Sequence, residues 1–378
     1  MPTPATDATV AVPPTRETPA GHPDGHGQPD GRSGTTPRAP EAVATPCAGY
    51  GQLREQAPIV RGRMPDGTAV WLVSRFDDVR ELLRDPRFVH TSEAGPGRPG
   101  EERATTPAEH PAAVHRYLPA APAEGEPPTD ARLRQPVAAA RSSDRLRERL
   151  PRVERIADEL AAALPGHARE GVVDLLEHFA YPLPLALCGD PVDAPEDGDG
   201  GPTLPPGGVE TTGHLIGNAA AALLAHPAQL AALRADPGLW PGAVEELTRW
   251  CGPVEMARLR YATEDLTFRD TRIRRGEAVR LVLAAANLDP RRHADPDRLD
   301  VTRELAAGQA EQQLGFGHGV HRCPGAAVVR QEVGAALRAL AGRYPALSLA
   351  VAAAELERVA LPDGRRLARL PVRLGPPA

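Results

Sequence analysis

The sequence contains no lysine, and this absence excludes several kinds of chemistry. All 44 basic residues among the 378 are arginine. Schiff-base enzymes, P-loop nucleotide sites and acetyl-lysine switches all depend on a lysine side chain, so none of them is expected. The basic residues are also outnumbered by 50 acidic ones, which gives a formal charge of −6. Because a general nucleic-acid binder carries a basic excess, no nucleic-acid partner is predicted.

Cysteines and long apolar runs are scarce as well. The four cysteines stand far apart in the chain, at Cys47, Cys188, Cys251 and Cys323, and no two have metal-ligand spacing. Neither a disulfide framework nor a zinc site is therefore indicated. No apolar run approaches the length of a membrane span, and the first residues lack the apolar centre of a signal peptide. We therefore expect a cytoplasmic protein with no membrane contact.

Proline and glycine separate an N-terminal tail from one large domain. Residues 1–46 are rich in Pro, Gly, Thr and Asp, with only scattered valines. Such a segment buries too little apolar surface to offset the entropy of ordering, so we predict a disordered tail over 1–46. Residues 47–378 are predicted to form a single domain in which helical patterns dominate. The predicted fold class is mainly α with small β sheets (α+β).

The hydrophobic patterns place the main elements along this domain. A hairpin with Asp66-Gly67 in its turn is predicted over 57–73. Two stretches rich in Pro, Gly and acidic residues, 90–129 and 189–208, interrupt the helices. The predicted helices are 76–83, 131–141, 144–164, 172–187, 214–225, 227–236, 241–250 and 324–344.

The segment most informative about chemistry is Phe316-Gly-His-Gly-Val-His-Arg-Cys-Pro-Gly325. Its alternating glycines permit tight turns and the close approach of a flat ligand. Cys323 precedes a predicted helix with Pro324 in its first turn. The positive end of that helix favours the thiolate, which is the form that ligates metals. A lone cysteine is more often a small buried apolar residue, so the cysteine alone leaves both interpretations open.

The segment resembles the haem-binding loop of the cytochrome P450 superfamily, whose pattern is F-x-x-G-x-[RH]-x-C-x-G. The resemblance to the bacterial soluble members extends in order over roughly residues 50 to 375, through Trp71-Leu-Val73, Asp85-Pro-Arg-Phe88, Tyr181-Pro-Leu-Pro184, Ile273-Arg-Arg-Gly276 and Ala285-Ala-Asn-Leu-Asp-Pro290. It implies the cytochrome P450 fold and a haem b cofactor. By the same resemblance, Cys323 is the axial iron ligand, and Phe316, Gly317 and Gly325 form the loop around it.

The resemblance also implies a structural triad. Glu246 and Arg249 match the E-x-x-R motif of the family, and Arg303 matches the later arginine that joins it. Taken alone, a Glu and an Arg three residues apart on a helix are more often a solvated surface pair.

Three cationic residues match the groups that hold the haem propionates. They are His321, Arg260 and Arg134, and cationic donors suit carboxylates. A solvated helix face is the alternative for Arg134. The family usually has a histidine four residues before this arginine, but this chain has Asp130 there, so one anchor is expected to be lost.

Glu210 and Thr211, within Gly207-Gly-Val-Glu-Thr-Thr212, resemble the acid–alcohol pair on the distal helix of the family. The resemblance implies that they deliver protons during O–O cleavage, which a carboxyl and a hydroxyl group can do. The alternative is an ordinary helix start, where Thr and Glu are also common.

The chain departs from the family before this motif. Leu187 is followed by a short stretch of mostly Gly, Pro and Asp before Glu210, where the family has a much longer segment. The lid helices and the first half of the central distal helix are therefore predicted to be missing. The distal haem face is then open, unless the 90–129 loop, the tail or a second subunit covers it. Such a site suits a bulky small molecule, a peptide or a carrier-tethered substrate.

The predicted function is a haem-thiolate monooxygenase or oxidase of bacterial secondary metabolism, acting by hydroxylation or by radical aryl coupling. Electrons come from NAD(P)H through a ferredoxin and a ferredoxin reductase, which are expected to dock near Arg322 and Arg330. The alternative is a haem protein of the same fold without oxygenase activity, either dehydratase- or isomerase-like or a non-catalytic, carrier-recruiting partner. Retention of Glu210 and Thr211 favours the first hypothesis, whereas loss of the lid favours the second.

Overall fold

The computed structural model describes residues 10–11, 48–64, 69–90, 143–188, 206–303, 312–361 and 363–378. The predicted hairpin turn, nearly all of the 90–129 and 189–208 stretches, and the predicted 131–141 helix lie outside these residues. Of the predicted tail only Val10 and Ala11 are described, so its disorder stays a prediction.

Helices make up about half of the described chain, in agreement with the predicted fold class. The α-helices are α1 (Ala48–Gln56), α2 (Phe76–Arg84), α3 (Ser143–His167), α4 (Pro182–Leu187), α5 (Pro206–Ala225), α6 (Pro227–Ala235), α7 (Trp240–Cys251), α8 (Leu283–Asn287) and α9 (Ala326–Arg343).

The strands are short and form small sheets. They are β1 (Val10–Ala11), β2 (Ile59–Arg63), β3 (Ala69–Val73), β4 (Phe88–Val89), β5 (Val172–Asp174), β6 (Arg260–Ala262), β7 (Leu266–Phe268), β8 (Thr271–Ile273), β9 (Ala278–Leu281), β10 (Ser348–Leu349), β11 (Arg358–Leu361), β12 (Gly364–Leu367) and β13 (Pro371–Arg373). The largest sheet has the order β1-β2-β3-β9-β6-β4. The predicted hairpin is β2 paired antiparallel with β3, and β9 then adds in parallel to β3.

Three predicted helices differ from the structure. The helix predicted from His214 begins eight residues earlier, at Pro206. In the segment 172–187, residues Val172–Asp174 form strand β5 against β13, and a π-helix (Leu176–Ala180) precedes α4. Two β-branched valines favour the strand, and the Asp174 carboxylate accepts the Leu176 N–H at 2.9 Å, which starts the next turn. The helix predicted from 324 begins instead at Ala326, so Pro324 lies in the turn before α9.

Helix α5 runs through the centre of the main hydrophobic core. Leu215, Ile216 and Ala219 are buried there. The helix lies so close to the π-helix and α4 that a Cβ atom at Gly213 would stand 2.5 Å from the ring of Tyr181. Only glycine fits at that position without displacing the ring.

A buried carboxylate joins α7 to the chain that follows α8. Glu246 accepts two hydrogen bonds from Arg249, at 2.7 and 2.8 Å, and a third from Nε of Arg303 at 3.1 Å. The backbone N–H of Asp300 donates a fourth, at 3.0 Å. The structure thus brings together the three residues of the predicted triad, and Glu246 and Arg249 are buried rather than solvated.

Among the described helices, no single one is long and apolar enough to cross a membrane. One pair, Gly208–Ala225 and Pro227–Ala235, reaches that length and apolarity jointly, with a 100° bend between its members.

His293 is a buried neutral base near Arg249 and Arg303 of the Glu246 network. Its ring meets that of Phe76 edge-on at 5.9 Å. Burial, together with the positive charges of Arg249, Arg303 and Arg292, lowers the pKa of His293 to about 3. Because an unfolded chain binds this proton near pH 6.5, the stabilising contribution is complete above that pH and is lost as the pH falls towards 3.

We predict that His293→Gln removes this acid sensitivity. Relative to the variant, the wild-type protein should lose up to about 3 kcal/mol of unfolding free energy between pH 6.5 and 4. Urea unfolding curves of both proteins at several pH values give the difference in their unfolding free energies. The carboxylates are the same in the two proteins, so their contributions cancel in that difference. Parallel pH profiles for the two proteins would contradict the assignment.

Helix α3 is held to α9 by a buried ion pair. Nη2 of Arg149 lies 2.6 Å from Oε1 of Glu332, and the two side chains are 1% and 0% exposed. A pair this deeply buried fixes how the two helices meet, because removing one partner leaves the other charge in the core.

We predict that Glu332→Ala lowers the free energy of unfolding by about 3–5 kcal/mol. The double variant Arg149→Met with Glu332→Leu should lose clearly less, because no charge remains buried. Chemical denaturation compares the three proteins. Equal losses in the single and double variants would show that packing volume, and not the charge, decides stability there.

Candidate active site

The loop that carries Cys323 is fixed at its start by α7 and α8. The backbone N–H of Leu314 donates to Oδ1 of Asn287 at 2.7 Å, and the Gln313 amide donates to Glu245 at 3.1 Å. Leu314, Asn287 and Gln313 are all buried. The loop therefore begins at a fixed position relative to the two helices.

Two glycines allow the loop to turn back on itself. Gly317 and Gly319 have φ values of +70° and +71°, which disfavour residues with a side chain. A Cβ at Gly319 would also stand 2.8 Å from the Arg84 side chain. The turn is closed by the Cys323 N–H, which donates to the Phe316 carbonyl oxygen at 2.7 Å.

The thiol of Cys323 lies at the start of α9. It is half-buried, and Gly325, the helix N-cap, follows two residues later. The positive helix end stabilises a thiolate. Cys251 contrasts with it, because its thiol donates to the Leu247 carbonyl at 3.1 Å and burial raises its pKa to about 12. The two cysteines therefore have different chemistry.

Arg260 is a buried cation that has no anionic hydrogen-bond partner among the described residues. Its Nη1 donates to the carbonyl oxygens of Leu82 and Leu83, at 3.2 and 3.4 Å. Its Nε is buried, with no acceptor in the part of the chain that the structure describes, and burial lowers the pKa of its guanidinium group to about 10. A carboxylate bound here would supply the acceptor and the charge, so this residue fits the propionate role implied by the resemblance.

The other two predicted propionate contacts have different outcomes. His321 lies in the short turn Gly319–His321 of the cysteine loop, and its ring meets that of His90 edge-on at 4.7 Å. Arg134 lies outside the described residues.

Phe316 and Arg330 stabilise the other side of the loop. The Arg330 guanidinium stands 4.5 Å from the centre of the Phe316 ring. Its Nη2 donates to Glu245 at 3.0 Å, and its Nε also contacts that carboxylate. Arg330 is thus engaged within the protein, which weakens the expectation that it meets a redox partner.

Glu210 and Thr211 lie in the second turn of α5. The hydroxyl groups of Thr211 and Thr212 both donate to the Gly208 carbonyl oxygen, at 3.4 and 2.7 Å. The Glu210 side chain is 19% exposed and reaches water, whereas Val209 and Thr212 are buried. The pair can therefore connect solvent with the interior.

His214 was not predicted to belong to this site. It is 3% exposed, and its Nε2 lies 3.6 Å from Oε1 of Glu210, one helical turn earlier. Its ring meets that of Tyr181 edge-on at 5.7 Å. Burial raises the pKa of Tyr181 to about 12, and the negative charge of Glu210 adds to that effect while Arg366 opposes it. The i, i+4 spacing was the available sequence signal, but isolated histidines are more often packing residues.

Comparisons with known proteins agree with this geometry. The family model "Cytochrome P450" matches residues 239–344, which contain α7, the cysteine loop and α9. The cytochrome P450 monooxygenase PikC of Streptomyces venezuelae is 34% identical over 88% of this chain and 91% of its own length. The 6-deoxyerythronolide B hydroxylase of Saccharopolyspora erythraea is 31% identical over 86% of this chain and 95% of its own length.

Solved structures give the same result. The tirandamycin C-bound P450 monooxygenase TamI superposes with a TM-score of 0.71 and 30% identity, covering 89% of this chain and 99% of that one. The predicted fold is thereby confirmed. With a cysteine loop, a buried triad and relatives along most of its length, the chain belongs to the cytochrome P450 family, whose members are haem-containing oxidoreductases.

Proposed function

We propose that this protein is a haem-thiolate monooxygenase that hydroxylates a bulky substrate of bacterial secondary metabolism through a distal face without the usual lid helices. The observation that carries the proposal is the position of Glu210 and Thr211. They lie near the start of α5 (Pro206–Ala225), and only residues 188–205 separate α5 from the end of α4 at Leu187.

The length of the chain supports a missing segment. The alignment with PikC extends over 399 positions, which exceeds the 378 residues of the whole chain. PikC therefore has residues that face gaps in this chain. We assign the main gap to the connection between α4 and α5, whose sequence is mostly Gly, Pro and Asp and has no amphipathic period.

An open distal face favours large substrates over small ones. Lid helices exclude water and provide apolar walls around a small substrate. Without them, a large molecule that brings its own apolar surface binds better than a small one. TamI was solved with tirandamycin C, and another relative is a 6-deoxyerythronolide B hydroxylase. The proposed substrate is therefore a natural product of comparable size, either free or tethered to a carrier.

The residues near Cys323 would hold the cofactor. Cys323 is the proposed iron ligand in a loop formed by Phe316, Gly317 and Gly325, and Arg260 and His321 would meet the propionates together with Arg134. When bound, the haem supplies the activation of dioxygen, through which one oxygen atom enters the substrate while two electrons and two protons reduce the other to water.

Glu210 and Thr211 are proposed to move those protons. The partly exposed Glu210 carboxyl takes protons from water, and the Thr211 hydroxyl passes them inward, since a hydroxyl group both donates and accepts. The buried His214 imidazole beside Glu210 limits how the carboxyl group can rotate.

The electrons are proposed to arrive at the cysteine side from a ferredoxin, reduced by its reductase with NAD(P)H. Val320 is 73% exposed there, and Arg322 beside it is exposed. Burial and the positive charges of Arg84, Arg80 and Arg322 lower the pKa of His318, so these exposed arginines lie near His318. A basic patch around an exposed apolar residue suits an acidic protein partner.

The experiment that tests the proposed function is turnover with a surrogate ferredoxin, its reductase and NADPH under ¹⁸O₂. We expect one labelled oxygen atom in the product of a macrolactone-sized substrate and little product from a small fatty acid. Unlabelled, dimeric product would identify oxidative aryl coupling instead. No NADPH consumption with any redox partner, despite bound haem, would favour the non-oxygenase alternative.

Thr211→Ala tests the proton pair. We expect product formed per NADPH to fall at least about tenfold, with release of hydrogen peroxide, because general acid catalysis commonly contributes that much or more. Thr212→Ala is the matched control, since its hydroxyl also donates to Gly208. If both variants behave alike, the threonines belong to an ordinary helix start and not to a proton path.

A further inference from the structure

His90 stands beside the two described residues that the resemblance assigns to the haem propionates. Strands β4 and β6 are antiparallel, with Val89 opposite Tyr261. The pairing ends there; His90 is the next residue after β4, and Arg260 is the first residue of β6. His90 therefore lies at the same end of this strand pair as Arg260, although 170 positions separate them in the chain.

The side chain of His90 has a defined orientation. Its ring meets the His321 ring at 4.7 Å with an angle of 78° between the planes. Its Nδ1 lies 3.2 Å from the carbonyl oxygen of Leu259. Because a carbonyl oxygen can only accept, Nδ1 carries the proton in that contact. A carboxylate at Nε2 would then favour the doubly protonated, positively charged ring.

The local charge balance calls for an anion. Among the described residues, no carboxylate lies within ion-pair distance of Arg260. Asp85 is the acid that acts on it electrostatically, but that carboxylate is already bound by Arg87, with Nη2 to Oδ2 at 2.6 Å. The carbonyl oxygens of Leu82 and Leu83 offset only part of the Arg260 charge. A buried cation of this kind is costly unless a bound anion completes the site.

We propose that His90 is an additional anchor for the haem carboxylates, acting with Arg260 and His321. It supplies a histidine directly after β4, in a chain that has Asp130 where the family usually has one. The inference rests on the proposed haem binding and concerns how the haem is held rather than the reaction.

Two substitutions separate a carboxylate contact from ring packing. His90→Phe keeps an aromatic ring against His321 and removes both nitrogen atoms, whereas His90→Gln keeps a donor near the Nε2 position and removes the ring. His178→Phe, at a half-buried histidine in the π-helix, is the matched control. The measurement is the rate at which each holoprotein transfers haem to excess apomyoglobin.

We expect His90→Phe to release haem about tenfold faster than the wild type, because a hydrogen bond to a charged group contributes roughly that factor. His90→Gln should stay within about threefold of the wild type, and His178→Phe should match it. The opposite order, with Phe retaining haem and Gln losing it, would assign His90 to packing and overturn the proposal, as would equal rates in all four proteins. A wild-type protein that binds no haem would instead overturn the proposed function, so the two failures are distinguishable.

Discussion

The arrangement of the active site depends on one buried carboxylate, that of Glu246. It accepts four hydrogen bonds, from Arg249, Arg303 and the Asp300 backbone. The Arg249 guanidinium also donates to the Asn287 carbonyl oxygen at 2.9 Å, and the Asn287 amide oxygen holds the first residues of the cysteine loop. Charge compensation in the core thus sets where Cys323 stands. Loss of this one acid would leave two arginines without an anion, and a buried uncompensated charge costs several kcal/mol.

The cofactor side of the site has the opposite electrostatics. The Glu246 network is balanced internally. Arg260, by contrast, is buried with carbonyl oxygens as its acceptors, and its Nε has no acceptor within the described ranges. A fold tolerates such a group when a ligand completes it. The positive end of α9 behind Cys323 adds to the same imbalance. The protein therefore provides positive charge at Arg260 and at the start of α9, where an anionic, thiolate-bound cofactor is expected, and α5 would supply the acid and alcohol groups of the proposed proton path.

Much of this could be predicted from the sequence because the decisive signals are local. The glycines at 317 and 319, the spacing of Glu246 and Arg249, and most helix bounds are contained in short windows. Strand β5 could not be predicted, because its three residues pair with β13, almost two hundred positions later. His90 was missed for the same reason, because Arg260 lies 170 positions later. His214 was missed although its i, i+4 spacing to Glu210 is local, because isolated histidines are more often packing residues. The role proposed for His90 depends on the pairing of β4 with β6, which brings it to the same end of the strand pair as Arg260. His214 joins the site because its ring lies one helical turn after Glu210.

The central claim is that the Cys323 thiolate ligates a haem iron, and one measurement tests it most directly. The absorbance spectrum of the dithionite-reduced protein is recorded with carbon monoxide, beside that of a Cys323→Ser variant. The account predicts a red-shifted Soret band of the thiolate type in the wild-type protein and its loss in the variant. Haem bound with the same unshifted band in both proteins would contradict the account, because another residue would then be the ligand.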